Sequence, residues 1–315
     1  MSEFLDTFTF IRLEFPLIWL SFVFVFGACV GSFLNVVIFR IPAGRSVVKP
    51  RSHCACGVPI AWYDNIPILS WMALRARARC CGQAVSVRYP VVEALTGILF
   101  VLLWMRFEPL LAVVYCMYVS GLVAAAFIDW DTMEIPDRFS IGGFLIGVGL
   151  SLAVPSMHGA GGSGFFMVGA LQSGFLSLQG AFIGSGLILW IALIAEIVLR
   201  KEAMGFGDVK LMGAIGAFCG WQGAVFSLFG GAVVGTAFVG VYALGRVMRG
   251  QPVRPPEGDG GTSQSSGDEE EGEGWQIPFG PALAAGSVLY LLIFQPIFDE
   301  YLLEIQELLE MLAHF

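Results

Sequence analysis

Charge is what this chain has least of: Asp, Glu, Lys and Arg make up 13% of its 315 residues, against 57% hydrophobic residues. A soluble domain carries about 25% charged and about 45–50% apolar residues, so the shortage excludes an ordinary soluble fold and points to a polytopic membrane protein. Cysteine is also scarce. Seven residues, unevenly placed, do not make a disulfide scaffold, and four of them (Cys54, Cys56, Cys80, Cys81) crowd into one polar segment, which suggests metal instead. The first apolar run is long enough to span and lacks a small-residue cleavage site, so no cleavable signal peptide is expected. The net charge of −8 says little about partners, because much of it lies in the run Asp268–Glu271, while the stretch from Arg40 to Arg88 is basic. No nucleic-acid partner is expected.

What is there is hydrophobic length. A helix needs roughly 20 apolar residues to cross a bilayer. About eight such runs occur, at 17–39, 91–106, 109–128, 139–156, 177–199, 208–221, 223–245 and 279–298. The expected fold is therefore an all-α polytopic membrane protein with a small cytoplasmic cysteine-containing domain. The division runs 1–39 (N-terminus and first span), 40–90 (cysteine segment), 91–249 (membrane core), 250–275, 276–298 (last span) and 299–315. Lys and Arg between 40 and 90 place that segment in the cytoplasm, and counting spans puts Lys201, Lys210 and Arg246 on the same side. The loops opposite, 156–176 among them, carry no Lys or Arg beyond Arg106 at an edge. Both chain ends then lie outside the cytoplasm. Residues 250–275 are Gly-, Ser- and acid-rich and are expected to be disordered. The tail 299–315 has helical apolar spacing and reads as an amphipathic surface helix.

Two acidic clusters stand at corresponding membrane ends: Asp129-Trp130-Asp131-Thr132-Met133-Glu134-Ile135-Pro136-Asp137, and Gly205-Phe206-Gly207-Asp208-Val209-Lys210. Ionisable groups at a membrane boundary are costly and so are functional candidates. Facing carboxylates cannot both ionise cheaply. One keeps a proton while the other activates water, which is the division of labour in aspartic proteases. Gly205 and Gly207 suit a site that an extended substrate must approach. Two other readings stay open. Asp208 is a good N-cap for the helix after it, and both acids would also serve a transporter as a proton relay. Asp129 ends a helix, where a negative charge opposes the dipole, so capping does not account for it.

The pairing of FIDWDTMEIPD with KEAMGFGDVKLMGAIGAFCGW closely resembles the type IV prepilin leader peptidases, bacterial enzymes of the G-x-G-D aspartyl protease group. GSFLNVVIFRIP (31–42), NIPILSW (65–71), SVRYPVVEALTG (86–97) and IPFGPALAAGS (277–287) extend the resemblance in order along nearly the whole chain. It implies that Asp129 and Asp208 are the catalytic pair. Asp131, Glu134, Asp137, Glu202 and Lys210 would support it or face the substrate. It further implies removal of a basic leader from prepilins or type II secretion pseudopilins, at the cytoplasmic face of the bacterial inner membrane. Methylation of the new N-terminus with S-adenosylmethionine would follow.

The cysteine segment departs from that pattern. Members with both activities carry two C-x-x-C pairs on a structural Zn2+, whereas here Cys54-Ala55-Cys56 and Cys80-Cys81 are closer together. Aligned on the following glycines, the vacant ligand positions fall at His53 and Ala78. Cys54, Cys56, Cys80 and Cys81 could still close a distorted site, with His53 as a substitute ligand, or remain free thiols. Cys29, Cys116 and Cys219 read as small core residues.

Overall fold

The computed structural model describes residues 14–162, 165–200, 204–251, 278–298 and 301. Glu202, nearly all of the acidic insert and nearly all of the C-terminal tail lie outside these. The described residues form helices α1 (Pro16–Arg40), α2 (Leu69–Ala73), α3 (Arg88–Arg106), α4 (Pro109–Thr132), α5 (Asp137–Ala153), α6 (Phe166–Leu199), α7 (Phe206–Met248) and α8 (Gly280–Leu289). No strand occurs among them, only two isolated β-bridges. The all-α membrane fold is as the composition requires.

Among the described residues, six helices are long and apolar enough to cross a membrane: α1, α3, α4, α6, α7 and the stretch Gly280–Phe298. Two places account for the difference from eight. The expected span 139–156 is α5, only 17 residues long. The expected spans 208–221 and 223–245 both fall within α7, whose 43 residues, if unbroken, would reach roughly 64 Å, about twice the apolar thickness of a bilayer. Inside it Gly220 has φ 68° and ψ −178°. That backbone is open to glycine and strained for other residues, so the run breaks there. The stretch 156–176, expected to be a loop, instead holds short 3₁₀ turns and the first residues of α6.

The chain forms two compact units, residues 1–124 and 125–315, with the division falling inside α4. In the first unit α1 and α3 cross at small residues. A Cβ on Gly27 would lie 2.9 Å from the Gly97 Cα, and one on Gly31 would lie 2.7 Å from the Glu93 Cα. In the second unit the inner part of α7 is buried almost without interruption from Asp208 to Gly220. Small side chains allow this. Gly147 of α5 abuts Ala217, Gly180 of α6 abuts Gly216, and Gly286 of α8 packs on Ser227 and Gly231. Contact at this range is how helices associate where lipid supplies no hydrophobic drive. Cys116 and Cys219 are buried as expected, but Cys29 is exposed and lines a surface cavity with Ser32 and Phe33.

The Gly220 break also frees a carbonyl. Ala217 O accepts the Ser177 hydroxyl at 2.8 Å and the His158 Nε2 at 3.2 Å. His158, in the turn after α5, is held neutral by burial, its pKa pushed down to about 4.

Candidate active site

Asp129 lies one turn from the end of α4, which Met133 closes with φ 55°, its N–H donating to Asp129 O at 2.9 Å. A carboxylate there faces the negative end of its own helix. The second unit supplies the remedy. The Gly280 N–H, at the start of α8, donates to Asp129 Oδ2 at 3.0 Å, so Asp129 sits on the positive end of another helix. Gly280 is required for this approach, because a Cβ on it would stand 2.6 Å from the same oxygen.

Asp208 is the third residue of α7. The N-cap is Gly205, extended and without a side-chain cap hydrogen bond, so the capping explanation for Asp208 fails. Its N–H donates to Gly205 O at 3.1 Å. Asp129 and Asp208 are both enclosed, 5% and 7% exposed, and lie within electrostatic range of each other. Between their elements runs the loop after α4. Buried Ile135 packs where a Cβ on Gly207 would meet it at 3.3 Å, and its Cδ1 approaches Gly280. Gly207 thus lets the Asp208 turn close on the Asp129 loop.

The other expected residues are spread around this centre. Lys210 donates to Asp137 Oδ1 at 2.7 Å and lies 5.4 Å from the Phe206 ring centroid. Asp131 is half-buried and Glu134 exposed. Gly280 and Ile135 escaped the sequence reading. Gly280 lay within the IPFGPALAAGS stretch and Ile135 within FIDWDTMEIPD, but neither was singled out as a site residue, and a Gly-Pro pair by itself marks helix starts generally.

In the first unit the four cysteine sulfurs lie within 4.8 Å of one another. Each pair rides a tight loop. Cys54 N–H donates to Val58 O and Ala78 N–H to Gln83 O, both at 2.8 Å, and the loops turn at Gly57 (φ 85°) and Gly82 (φ 70°). Cys54 Sγ meets Cys81 Sγ at 3.5 Å, and Cys56 Sγ meets Cys80 Sγ at 3.3 Å. Sulfurs bound at about 2.3 Å to one tetrahedral Zn2+ would stand only slightly farther apart, so this donor set fits the ion despite its altered spacing. Hydrogen bonds from the Cys56 backbone and then the neighbouring thiols pull Cys54 down to about 7, while bonds to Cys56 and Cys54 push Cys80 up to about 12. One thiolate held by protonated neighbours is the state a dication would displace. His53 is not in the cluster, since its Nδ1 faces Arg51 O at 3.2 Å.

Residues 116–240 match the type IV leader peptidase family, and residues 25–107 match the bacterial peptidase A24 N-terminal domain. The chain is similar to prepilin leader peptidase/N-methyltransferases of three bacteria. With that of Myxococcus xanthus it is 41% identical over 220 residues, 68% of this chain and 61% of the relative. With that of Klebsiella pneumoniae it is 37% identical over 217 residues, 66% and 89% of the two chains. With that of Aeromonas hydrophila it is 34% identical over 309 residues, 88% and 91%. The match thus spans less than two thirds of the Myxococcus protein and about nine tenths of the other two. No solved structure matches. The chain belongs to the type IV leader peptidase family. The proton-relay transporter reading is left without support.

Proposed function

We infer that Asp129 and Asp208 are the catalytic pair of this membrane leader peptidase. Its substrates are prepilins or type II secretion pseudopilins, cut at the cytoplasmic face of the bacterial inner membrane. The observation that carries the reading is the meeting of two enclosed carboxylates on the ends of α4 and α7. In such a pair the ionised carboxylate takes a proton from water as the water attacks the scissile carbonyl. The protonated partner gives its proton to that carbonyl oxygen. Collapse of the tetrahedral species expels the amine, which regains a proton from the pair. The α8 amide on Asp129 holds one oxygen fixed through this exchange. Gly205 and Gly207 leave room for an extended substrate backbone. Asp131, Glu134 and Asp137 offer a basic leader an acidic rim, with Lys210 fixing Asp137.

The freed N-terminus is then methylated. S-adenosylmethionine, when bound, would supply the methyl group that the freed amine receives. Cys54, Cys56, Cys80 and Cys81 would hold a Zn2+ whose work is structural, closing the 53–84 loops.

The test is cleavage of a prepilin with a basic leader and Gly-Phe junction, in detergent or vesicles. Asp129→Asn and Asp208→Asn each abolish cutting, and the double variant is no worse, because members of one unit are not additive. Asp131→Asn and Asp137→Asn keep substantial activity. A folded Asp208→Asn protein cutting at the wild-type rate would end the reading.

A further inference from the structure

A cavity of about 640 Å³ opens among residues 53–93 of the first unit, a size in the roughly 300–1,000 Å³ range of small-molecule sites. Much of its wall is apolar or aromatic, with Val58, Ile60, Tyr63, Trp71, Val85 and Tyr89 facing it. Only two of its lining residues are buried, Ser70 at 9% and Glu93 at 7% exposed. A carboxylate so enclosed is costly without partners. Among the described residues neutral groups meet it: the Ile68 N–H at 2.7 Å and the Ser32 hydroxyl.

The wall beside Glu93 is held in an unfavourable shape. Ile68 has φ 61° and ψ −51°, and the Leu69 N–H reaches Pro67 O at 2.5 Å, a γ-turn of the rare, strained hand. Such a conformation persists only where its surroundings over-determine it, as at ligand clamps. Here Glu93 takes the turn's own N–H. The Ser70 hydroxyl accepts Ile66 N–H at 3.1 Å and donates to Tyr63 O at 2.8 Å, and Trp71 Nε1 donates to Val85 O at 3.0 Å. The cavity is therefore built before any ligand arrives.

Its other acid is already engaged. Asp64 takes a two-pronged ion pair from Arg79 at 2.8–3.0 Å, and that guanidinium lies over Tyr63. Glu93 remains as a buried carboxyl group whose hydrogen bonds come from neutral donors, in a cavity that Tyr63, Trp71 and Tyr89 also line. Those two features suit a flat heteroaromatic ring joined to a cation that donates no hydrogen bond of its own. A sulfonium nucleoside has both, and a weakly hydrated cation gains from aromatic faces as well as from a carboxylate. The geometry points to this cavity as the seat of the methyl donor, S-adenosylmethionine, with Glu93 as counter-charge to its sulfonium. The inference rests on the N-methyltransferase reading above and adds where the donor sits.

Binding of labelled S-adenosylmethionine and S-adenosylhomocysteine to the full-length protein in detergent, by equilibrium dialysis, tests it. The second ligand keeps the ring but lacks the sulfonium charge. Glu93→Gln, which can still accept the Ile68 N–H, should weaken the first ligand about tenfold or more, as loss of a charged partner does, and the second far less. Tyr89→Leu, at a half-exposed ring, should weaken both alike. Ultraviolet cross-linking of bound donor should label residues between 58 and 93, a readout that survives even if Glu93→Gln fails to fold. Equal effects of Glu93→Gln on both ligands, no effect, or adducts elsewhere would overturn the site. Wild-type protein that cuts prepilin but binds neither ligand would instead overturn the N-methyltransferase reading itself.

Discussion

Cys54, Cys56, Cys80 and Cys81 stand on short loops, three of them exposed, whereas Asp129 and Asp208 stand on helix ends and are almost wholly enclosed. The thiol cluster draws its geometry from two local turns, each closed by hydrogen bonds within about six residues. The acid pair draws its geometry from distant parts of the chain, since 151 residues separate Asp129 from the amide that holds it. A local construction tolerates altered spacing, because each loop can re-aim its sulfurs alone. A distributed one tolerates little, because moving any helix end moves a carboxylate. The two regions should therefore fail differently.

The sharpest test of that contrast is Gly280→Ala. Its methyl group would collide with Asp129 Oδ2 and must push the carboxylate or α8 away. Displacement by about 1 Å can cost 10²-fold in rate, so cleavage should fall by about that factor while metal content stays unchanged. Cleavage at the wild-type rate would show that the α8 amide does not position Asp129.

The converse concerns the thiols. Purified protein should hold about one equivalent of zinc, as four ligands per ion require. Cys80→Ser with Cys81→Ser should lower that content severalfold and expose the 40–90 segment to proteases, with a far smaller effect on cleavage. Wild-type protein free of metal would remove zinc from the account.

These contrasts also mark what could be read from the residues in order. Asp129 and Asp208 were legible because a charge ending an apolar run is conspicuous. The convergence of the cysteines was legible from their crowding, although their spacing suggested His53 as a substitute that the loops turn away. Gly280 and Ile135 were not legible, because a backbone amide and an aliphatic side chain carry no mark of their contacts. The shortness of α5 was not legible either, because hydropathy runs on past the residues that hold helical geometry, whereas the division between 208–221 and 223–245 was, since the backbone leaves the helix at Gly220.

The smallest effect lies at that break. His158 binds its proton less readily folded, with pKa about 4, than at its ordinary 6.5. The unfolded chain therefore takes up more protons between those values, and stability drains away as pH falls from 6.5 toward 4. The contribution is at most about 3 kcal/mol. His158→Gln, which can still donate to Ala217 O, should flatten this part of the pH dependence of thermal unfolding. An unchanged slope would show that His158 titrates normally.

The hydrogen bond from α8 to Asp129 has a consequence in time. Translation runs from the N-terminus, so α4 and α7 are made, and both acids are in the chain, before Gly280 exists. Until α8 arrives, Asp129 faces the negative end of its own helix without its compensating amide. A chain made only as far as α7 therefore carries both carboxylates yet lacks the contact that seats one of them.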